Sequence, residues 1–406
     1  MLRLNVTGKV LHTQAITNGV GGLPSGTNSA NDFFGISLST DGGDIDSDGL
    51  NDLLVSASGS DAAGTDRGAL YVLFMQADDT VRTFTRISQA TGEGLDNSPL
   101  AHSFLGDGLA AIPPRSPGNP IDVAISTTQV VNAVVLFRLA SNGTVIGIPE
   151  VIADGREGVT SLPTNELFGQ QVYPLGDLDG DGEADISVGN ALDSESGANS
   201  GAVYILFLNP GNSTDAVKSL LKITPATSGL SGVAPTGNSL MVLAPVGDLD
   251  GDGRREVAFG FGTDDHVIVA RLGGLTPSVS PTPSVSPSAS LTPSPSPSPA
   301  GVGTVFDAVI VGNNQGGLPS GVIAAGDTFG RYIAGIGDIN GDGIPDIAAG
   351  AELDDDVSSN TGAVYIIFMN SDRTAKGYQK ISATEGGASM DQSTSLHFGY
   401  SPQRMD

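Results

Sequence analysis

Short apolar runs alternate with polar, glycine-rich turns along the whole chain. The clearest run occurs three times with nearly the same sequence, at residues 68–74, 201–207 and 362–368. Its β-branched and aromatic residues are typical of buried strands. Other short apolar runs precede it, and a run of mixed polarity follows it after a polar turn. The pattern predicts an all-β protein made from a repeated unit of four strands.

An acidic loop stands between the first and second strands of this unit and occurs four times. Oxygen ligands at positions 1, 3 and 5 converge on one cation if glycine at position 6 lets the chain curl. Position 7 would add a backbone carbonyl, and position 9 is acidic in all four copies. The predicted metal ligands are Asp44, Asp46, Asp48, Leu50 and Asp52; Asp177, Asp179, Asp181, Glu183 and Asp185; Asp248, Asp250, Asp252, Arg254 and Glu256; and Asp338, Asn340, Asp342, Ile344 and Asp346.

Calcium suits these loops best, because it takes six to eight oxygen ligands in flexible geometry. An EF-hand would need a glutamate at position 12, where the chain has Val55, Val188, Phe259 and Ala349. A solvated acidic turn is the alternative for one copy, but four copies in register favour about four metal sites. We expect the Asp338 loop to bind calcium most weakly, since Asn340 replaces a charged ligand, and the Asp177 loop to be among the tightest.

The loop spacing defines the domain organisation. We predict one β-propeller over residues 1–406, with repeats at about 33–99, 100–166, 167–237, 238–327 and 328–395 and a partial repeat at 396–406. In the second repeat, residues 104–108 are assigned to the loop position, and prolines and an arginine over 113–117 replace the ligands, so this blade should bind no calcium. The Pro/Ser/Thr tract at 276–299 is interpreted as an insertion in a blade hairpin, with an interdomain linker as the alternative.

The two ends of the chain extend the repeat. Residues 6–17 are predicted to form a fourth strand, and residues 396–400 a first strand. Propellers commonly close by completing one blade from both termini. A first and a fourth strand lack the two strands between them, so we expect the chain to be an excerpt of something longer.

The formal net charge of −27 limits the possible partners. No basic stripe is present, which argues against nucleic acid and anionic membranes. There is no cysteine, and no stretch reads as a signal peptide or a membrane span. Calcium and the glycosylation sequons at Asn5, Asn142 and Asn212 favour an extracellular or cell-surface location.

Phe-Gly pairs start the units and are followed by loops of the form D-x-[DN]-x-D-G-x-x-[DE]. The pairs are at residues 34–35, 168–169, 329–330 and 398–399, the last without a loop. This arrangement resembles the FG-GAP repeats of integrin α-subunit propellers and their bacterial relatives. The resemblance implies four-stranded blades, calcium in the loops and an adhesion or binding scaffold. Glu256 departs from the usual aspartate.

The leading functional hypothesis is a calcium-binding propeller that presents loops to a protein or glycan. The alternative is the propeller portion of a secreted carbohydrate-active enzyme or a lectin. Catalysis is disfavoured because His12, His102, His266 and His397 are scattered and no H-E-x-x-H or G-x-S-x-G motif occurs. A sugar-stacking surface is disfavoured by the absence of tryptophan. The acidic run at 354–356 is interpreted as a solvated loop.

Overall fold

The computed structural model describes residues 1–29, 31–95, 104–113, 120–128, 132–159, 162, 167–210, 213–234, 240–263, 265–273, 304–356, 360–388 and 398–403. Within these residues the chain forms 22 strands and no helix, which confirms the predicted all-β class. No described segment is a helix that could cross a membrane. The strands form five four-stranded antiparallel sheets and one hairpin.

Consecutive strands pair within every sheet. Blade 1 contains β3 (Phe34–Ser39), β4 (Leu53–Ala57), β5 (Ala69–Met75) and β6 (Val81–Ile87). Blade 2 contains β7 (Phe104–Ile112), β8 (Ile121–Thr128), β9 (Ala133–Leu139) and β10 (Val145–Ile152). Blade 3 contains β11 (Phe168–Gly176), β12 (Asp185–Asn190), β13 (Ala202–Leu208) and β14 (Val217–Ile223). Blade 4 contains β15 (Leu240–Gly247), β16 (Glu256–Phe261), β17 (His266–Leu272) and β18 (Val305–Gly312). Blade 5 contains β19 (Ile333–Gly337), β20 (Asp346–Ala351), β21 (Ala363–Met369) and β22 (Ala375–Ile381), and the hairpin pairs β1 (Leu2–Leu4) with β2 (Val10–Thr13).

The blades follow one another around a ring, as predicted for a β-propeller. First strands of successive blades contact each other in the order β3, β7, β11, β15 and β19. The apolar core lies between blades rather than within one sheet. Ile205 of blade 3, for example, shares a buried cluster with Phe259 and Ile268 of blade 4. Burying such a side chain contributes roughly 1.5–3 kcal/mol, so blades stabilise one another.

The Phe-Gly pair has a packing role. Its phenylalanine meets the tyrosine of the third strand edge to face in blades 1, 3 and 5. The ring centroids are 5.3 Å apart for Phe34 and Tyr71, 5.6 Å for Phe168 and Tyr204, and 5.2 Å for Phe329 and Tyr365. The glycine of the pair has positive φ, 87° at Gly330, where an added Cβ would lie 2.7 Å from Val267 Cγ2. Such a turn favours glycine.

A repeated main-chain hydrogen bond joins neighbouring blades. The first residue of a fourth strand donates its N–H to a carbonyl in the segment that follows the fourth strand of the preceding blade. The pairs are Val81 with Gly21, Val217 with Glu157, Val305 with Ser228, Ala375 with Gly316, and Val10 with Gly386. Since Val10 begins β2, that strand occupies the fourth-strand position of a sixth blade between blades 5 and 1.

The start of the chain differs from the sequence prediction. Residues 6–17 were expected to hold one fourth strand, but the chain opens on a hairpin whose first strand, β1, takes the third-strand position. The reason is a tight turn over residues 5–9, in which the Asn5 N–H donates to the Lys9 carbonyl at 2.9 Å. At the other end, Phe398 bridges Gly362 in the way that Leu240 bridges Gly201, so Phe398 starts a first strand.

Two further predictions were wrong. Residues 104–108 lie in β7, a first strand, and not at the loop position. The acidic run at 354–356 was predicted to be solvated, and this is wrong only for Asp354, since Asp355 and Asp356 are exposed. Asp354 is 2% exposed, because Lys380 Nζ lies 2.7 Å from its carboxylate and Tyr365 donates to it at 3.2 Å. The Pro/Ser/Thr tract lies outside the described residues; β17 and β18 on either side of it pair in one sheet.

Candidate metal centres

Each acidic loop lies between a first and a second strand, so all four leave the ring at the same end. Position 9 is the first residue of the second strand in blades 3, 4 and 5 and precedes β4 by one residue in blade 1. Backbone φ is positive at positions 4 and 6. In the Asp177 loop these are Gly180 at 78° and Gly182 at 92°, and in the Asp44 loop Ser47 takes 63° at position 4.

The first aspartate holds the loop in shape. Asp177 Oδ1 accepts N–H bonds from Gly180 at 2.7 Å and Asp181 at 3.1 Å, and its Oδ2 accepts one from Gly182 at 2.9 Å. Asp181 Oδ1 accepts the N–H of Glu183 at 2.8 Å. Asp248 and Asp338 make the same bonds, and Asp44 makes two of them. The loops are therefore formed by their own backbone donors.

The position-9 carboxylates tie the loop to the third strand. Asp185 accepts the N–H of Leu178 at 2.8 Å and that of Leu208 at 3.1 Å, and it is 1% exposed. Asp52 and Asp346 accept the corresponding pairs. Burial raises the pKa of Asp185 to about 7, although the two N–H bonds oppose this rise. A bound cation would favour the charged form.

The donor set fits calcium. Ligand oxygens at roughly 2.3–2.6 Å from Ca²⁺ lie within about 5 Å of one another. One carboxylate oxygen from each of three residues lies within 4.8 Å of the others in three loops: Asp44, Asp46 and Asp48; Asp177, Asp179 and Asp185; Asp248, Asp250 and Glu256. The fourth loop has Asn340 among its side-chain oxygens. The carbonyls of Leu50, Glu183, Arg254 and Ile344 stay predicted ligands.

Basic side chains lie against these same oxygens, which the sequence analysis missed. Lys218 Nζ is 2.7 Å from Asp179 Oδ2 and 2.8 Å from Asp181 Oδ2. Arg82 pairs in the same way with Asp46 and Asp48, and Lys376 with Asp342. The sequence feature that could have revealed them is a basic residue at the second position of the fourth strand in blades 1, 3 and 5. These side chains are 41–55% exposed, so a metal ion could displace them.

Blade 4 is different, because Phe306 takes the place of that basic residue. Arg271 of β17 lies 3.1 Å from Asp252. A second guanidinium, that of Arg373, reaches across from blade 5 and lies 2.7 Å from Asp250. The same Arg373 side chain is 10% exposed and stands 3.4 Å from the buried Glu256 carboxylate. The Arg373 guanidinium thus lies among the predicted metal ligands of blade 4.

In blade 2 the segment between β7 and β8 contains no carboxylate over 113–120. The blade's Asp122 pairs instead with Arg138 at 2.8 Å. That this blade binds no calcium stays a prediction. The described residues of blade 2 contain no cluster of carboxylates that would contradict it.

The described histidines lie in separate places. His12 is exposed on β2, and His266 begins β17 with its ring 5.5 Å from that of Phe261. His102 and His397 lie outside the described residues. The two described histidines do not converge on one site.

The family model of the FG-GAP repeat matches residues 38–73, 168–206 and 330–367. No curated protein matches the chain. The matched segments run from the first to the third strand of blades 1, 3 and 5. These are the blades with the Phe-Gly pair, the third-strand tyrosine and a single exposed basic residue over the loop.

Proposed function

Because this chain is an FG-GAP repeat β-propeller, we propose that it binds Ca²⁺ in the acidic loops of blades 1, 3 and 5, and more weakly in blade 4. The metal-stiffened ring would serve as an extracellular scaffold that binds a protein or glycan ligand. One observation carries the proposal: the loops of blades 1, 3 and 4 hold carboxylate oxygens within 4.8 Å of one another on turns closed by their own N–H groups. The blade 5 loop has the same turn, with Asn340 in place of one carboxylate.

Charge repulsion supports a stabilising role for the ion. The Asp177 loop alone brings Asp177, Asp179, Asp181 and Asp185 together. Like charges this close destabilise the folded chain unless a cation balances them. Lys218 supplies only one positive charge to this group. A divalent ion with oxygen ligands from the same residues would balance more of the charge.

The scaffold role rests on the architecture. All four loops open at one end of the ring, while the segments between second and third strands open at the other. Loops carried on a rigid ring are suited to recognition. FG-GAP propellers are usually extracellular, where calcium is abundant enough to fill weak sites. Calcium would then keep the binding loops in one arrangement.

A thermal melt tests the calcium part of the proposal. We expect the melting temperature to rise by several degrees between excess chelator and millimolar Ca²⁺, and to rise less with Mg²⁺, which prefers stricter geometry. An ion at one hundred times its dissociation constant stabilises by about 2.7 kcal/mol per site. An unchanged melting temperature would contradict the proposal.

A glycan array and a protein-binding screen, both with Ca²⁺ and with chelator, test the scaffold part. We expect binding to a glycan or protein that is lost with chelator. A hydrolysis screen on glycosides run beside them tests the enzyme alternative. Turnover of a glycoside without any stable binding would favour the alternative.

A further inference from the structure

A cavity of about 660 Å³ lies between blades 2 and 3, at the same end of the ring as the acidic loops. We call it the blade 2 cavity. Its volume falls within the roughly 300–1,000 Å³ that is usual for small-molecule pockets. Among its lining residues only Glu183 is a predicted metal ligand, through its carbonyl. The lining residues that matter here are Asp122, Arg138, Ile146, Ile148 and Glu150 of blade 2 and Pro210 of blade 3.

The fourth strand of blade 2 has an unusual distribution of polar and apolar residues at this cavity. At its second position, blades 1, 3 and 5 have a basic residue, whereas blade 2 has Ile146. Ile146 is 42% exposed and Ile148 is 90% exposed. The charged residues lie on the neighbouring strands instead, where Arg138 of β9 donates to Asp122 of β8 at 2.8 and 3.2 Å. Exposed apolar side chains beside a few charged groups in a cavity are typical of a ligand site.

The backbone of β10 is irregular where it lines the cavity. Its pairing with β9 stops after Ile146 and resumes at Glu150, so residues 147–149 interrupt the ladder. In blades 1, 3 and 5 the corresponding interruption is a single residue. Pro149 suits the interruption, because proline has no N–H to donate. Bulges of this kind re-aim side chains and are over-represented beside functional sites.

The carboxylate of Glu150 has no counter-charge of its own. Glu150 is half-buried, and its side chain makes no hydrogen bond or ion pair with the described residues. Burial raises the pKa of Glu150, and the carboxylates of Glu157 and Asp122 add to the rise. The nearby Arg138 guanidinium is already paired with Asp122. Two carboxylates of the cavity thus share one guanidinium, and a further positive charge would balance the second.

A metal ion is not the ligand that this arrangement favours. Calcium needs several oxygen ligands at about 2.3–2.6 Å. Among the described residues of the cavity, no three carboxylates bring oxygens within 4.8 Å of one another. The cavity is also wider than an ion needs, and it has aliphatic walls from Ile146, Ile148 and Pro210. The charge and the walls together fit a cation that is carried on an apolar stem.

We propose that the blade 2 cavity binds an organic cation, an ammonium or guanidinium group on an aliphatic stem. The cation would pair with Glu150, and the stem would cover Ile146 and Ile148. A free aliphatic amine carries such a group, and so does a lysine or arginine side chain of a partner polypeptide. The site goes beyond the calcium-dependent scaffold, because Glu150, Asp122 and Arg138 are not predicted metal ligands. Binding should therefore occur with and without calcium.

Two small probes test the proposal on the whole chain. Pentylammonium represents the free amine, and a capped leucyl-lysyl-leucine tripeptide represents the side chain of a partner. We expect saturable binding of at least one of them in NMR saturation-transfer titrations, both in chelator and in Ca²⁺. Pentanol and the tripeptide with an acetylated lysine are the neutral controls. They should bind about tenfold more weakly, since each lacks the charge that pairs with Glu150.

The two probes also distinguish the source of the cation. Tighter binding of the tripeptide would assign the cation to a side chain of a partner polypeptide. Binding of pentylammonium as tight as that of the tripeptide, or tighter, would assign it to a small molecule. Either result supports the recognition of an organic cation.

Variants of the protein locate the site. Glu150→Gln removes the charge with little change of shape and should weaken the cationic probe about tenfold. Glu195→Gln is the control, since Glu195 is exposed between β12 and β13 at the other end of the ring, and it should leave binding unchanged. Ile148→Ser should weaken binding several-fold through loss of apolar contact. Its control is Val6→Ser, at a 65% exposed position between β1 and β2, and circular dichroism checks that each variant is folded.

Three results would overturn the proposal. One is the absence of saturable binding of both cationic probes. Another is binding of the neutral controls as tightly as the cationic probes, which would make the cavity an apolar pocket without charge recognition. The third is unchanged binding in folded Glu150→Gln, which would place the cation on other carboxylates of this acidic chain.

Discussion

The acidic loops of blades 3 and 4 share one backbone conformation but are contacted by different basic side chains. In each, the first aspartate accepts three N–H bonds from its own turn. Blade 3 places Lys218 over the loop, a side chain that is 41% exposed and belongs to the same blade. Blade 4 receives Arg373 from the neighbouring blade, and this side chain is 10% exposed.

The position of Arg373 over the blade 4 loop costs backbone strain, which its ion pairs offset. Arg373 has φ of 70° in the turn between β21 and β22, where the equivalent turns have Gly8, Gly143 and, in blade 1, Asp79 at 66°. That conformation costs a side chain about 1–2 kcal/mol. The contacts of Arg373 with Asp250 and Glu256 offset it. Blade 4 thus offsets part of its loop charge with the guanidinium groups of Arg271 and Arg373, whereas blade 3 has the single exposed amine of Lys218.

The comparison changes the expected order of calcium affinity. The sequence alone ranks the Asp338 loop last because of Asn340. With Arg373 inside the Asp248 loop, we expect that loop to bind Ca²⁺ more weakly than the Asp338 loop does. A metal ion in blade 4 would have to displace a buried guanidinium rather than an exposed amine.

The largest effect should come from Arg373→Met. Removing one partner of a buried ion pair costs about 3–5 kcal/mol, because the remaining charge is left without a counter-charge. In chelator we expect a loss near the lower end of that range, and Ca²⁺ should recover part of it by entering the vacated loop. Chemical denaturation measures both.

Arg254→Met is the matched control for that experiment. It removes the same charge from an exposed position 7 of the same loop. Its effect should be below about 1 kcal/mol, as for other surface charges. Equal losses in the two variants would contradict the special role of Arg373.

For Lys218→Met in blade 3 we expect a smaller loss of stability together with a gain in Ca²⁺ affinity. Without calcium the variant should lose about 0.5–1 kcal/mol, since exposed ion pairs contribute little. Its Ca²⁺ affinity should rise several-fold, because the amine no longer competes for Asp179 and Asp181. Calorimetric titration measures the affinity, with Lys9→Met, an exposed lysine in another turn, as control. Weaker calcium binding in Lys218→Met would show that the lysine assists the metal.

The smallest effect is expected for Asn340→Asp, which gives the Asp338 loop an aspartate where blade 3 has Asp179. Affinity in oxygen-ligand sites follows ligand charge, so the site should bind Ca²⁺ a few-fold more tightly. Asn370→Asp, near the end of β21 in the same blade, is the control for net charge. The same gain in both variants would assign the effect to overall charge and not to ligation.

Much of the molecule could be predicted from its repeat. The loops, the buried third strands and the Phe-Gly pairs recur often enough to define the blades. Features with a single occurrence were missed. Leu2-Arg3-Leu4 is too short to read as a strand, and residues 104–108 were misplaced because blade 2 lacks the acidic loop that marks the register elsewhere.

Contacts between distant residues were also out of reach. Arg373 and Asp250 are 123 residues apart and meet only because blades 4 and 5 are neighbours in the ring. Asp354 reads as part of a solvated acidic run until Lys380 is placed beside it. Sequence patterns report periodicity within a segment, whereas these pairs depend on how separate blades and strands pack.

Counting bound calcium by equilibrium dialysis tests the central claim most directly. At a Ca²⁺ concentration that fills the tighter sites, the account predicts that Asp177→Ala binds one ion fewer than the wild type and that Asp248→Ala binds the same number. Both variants should keep their β-type circular dichroism. A wild-type protein that binds no calcium, or an equal loss in the two variants, would contradict the account.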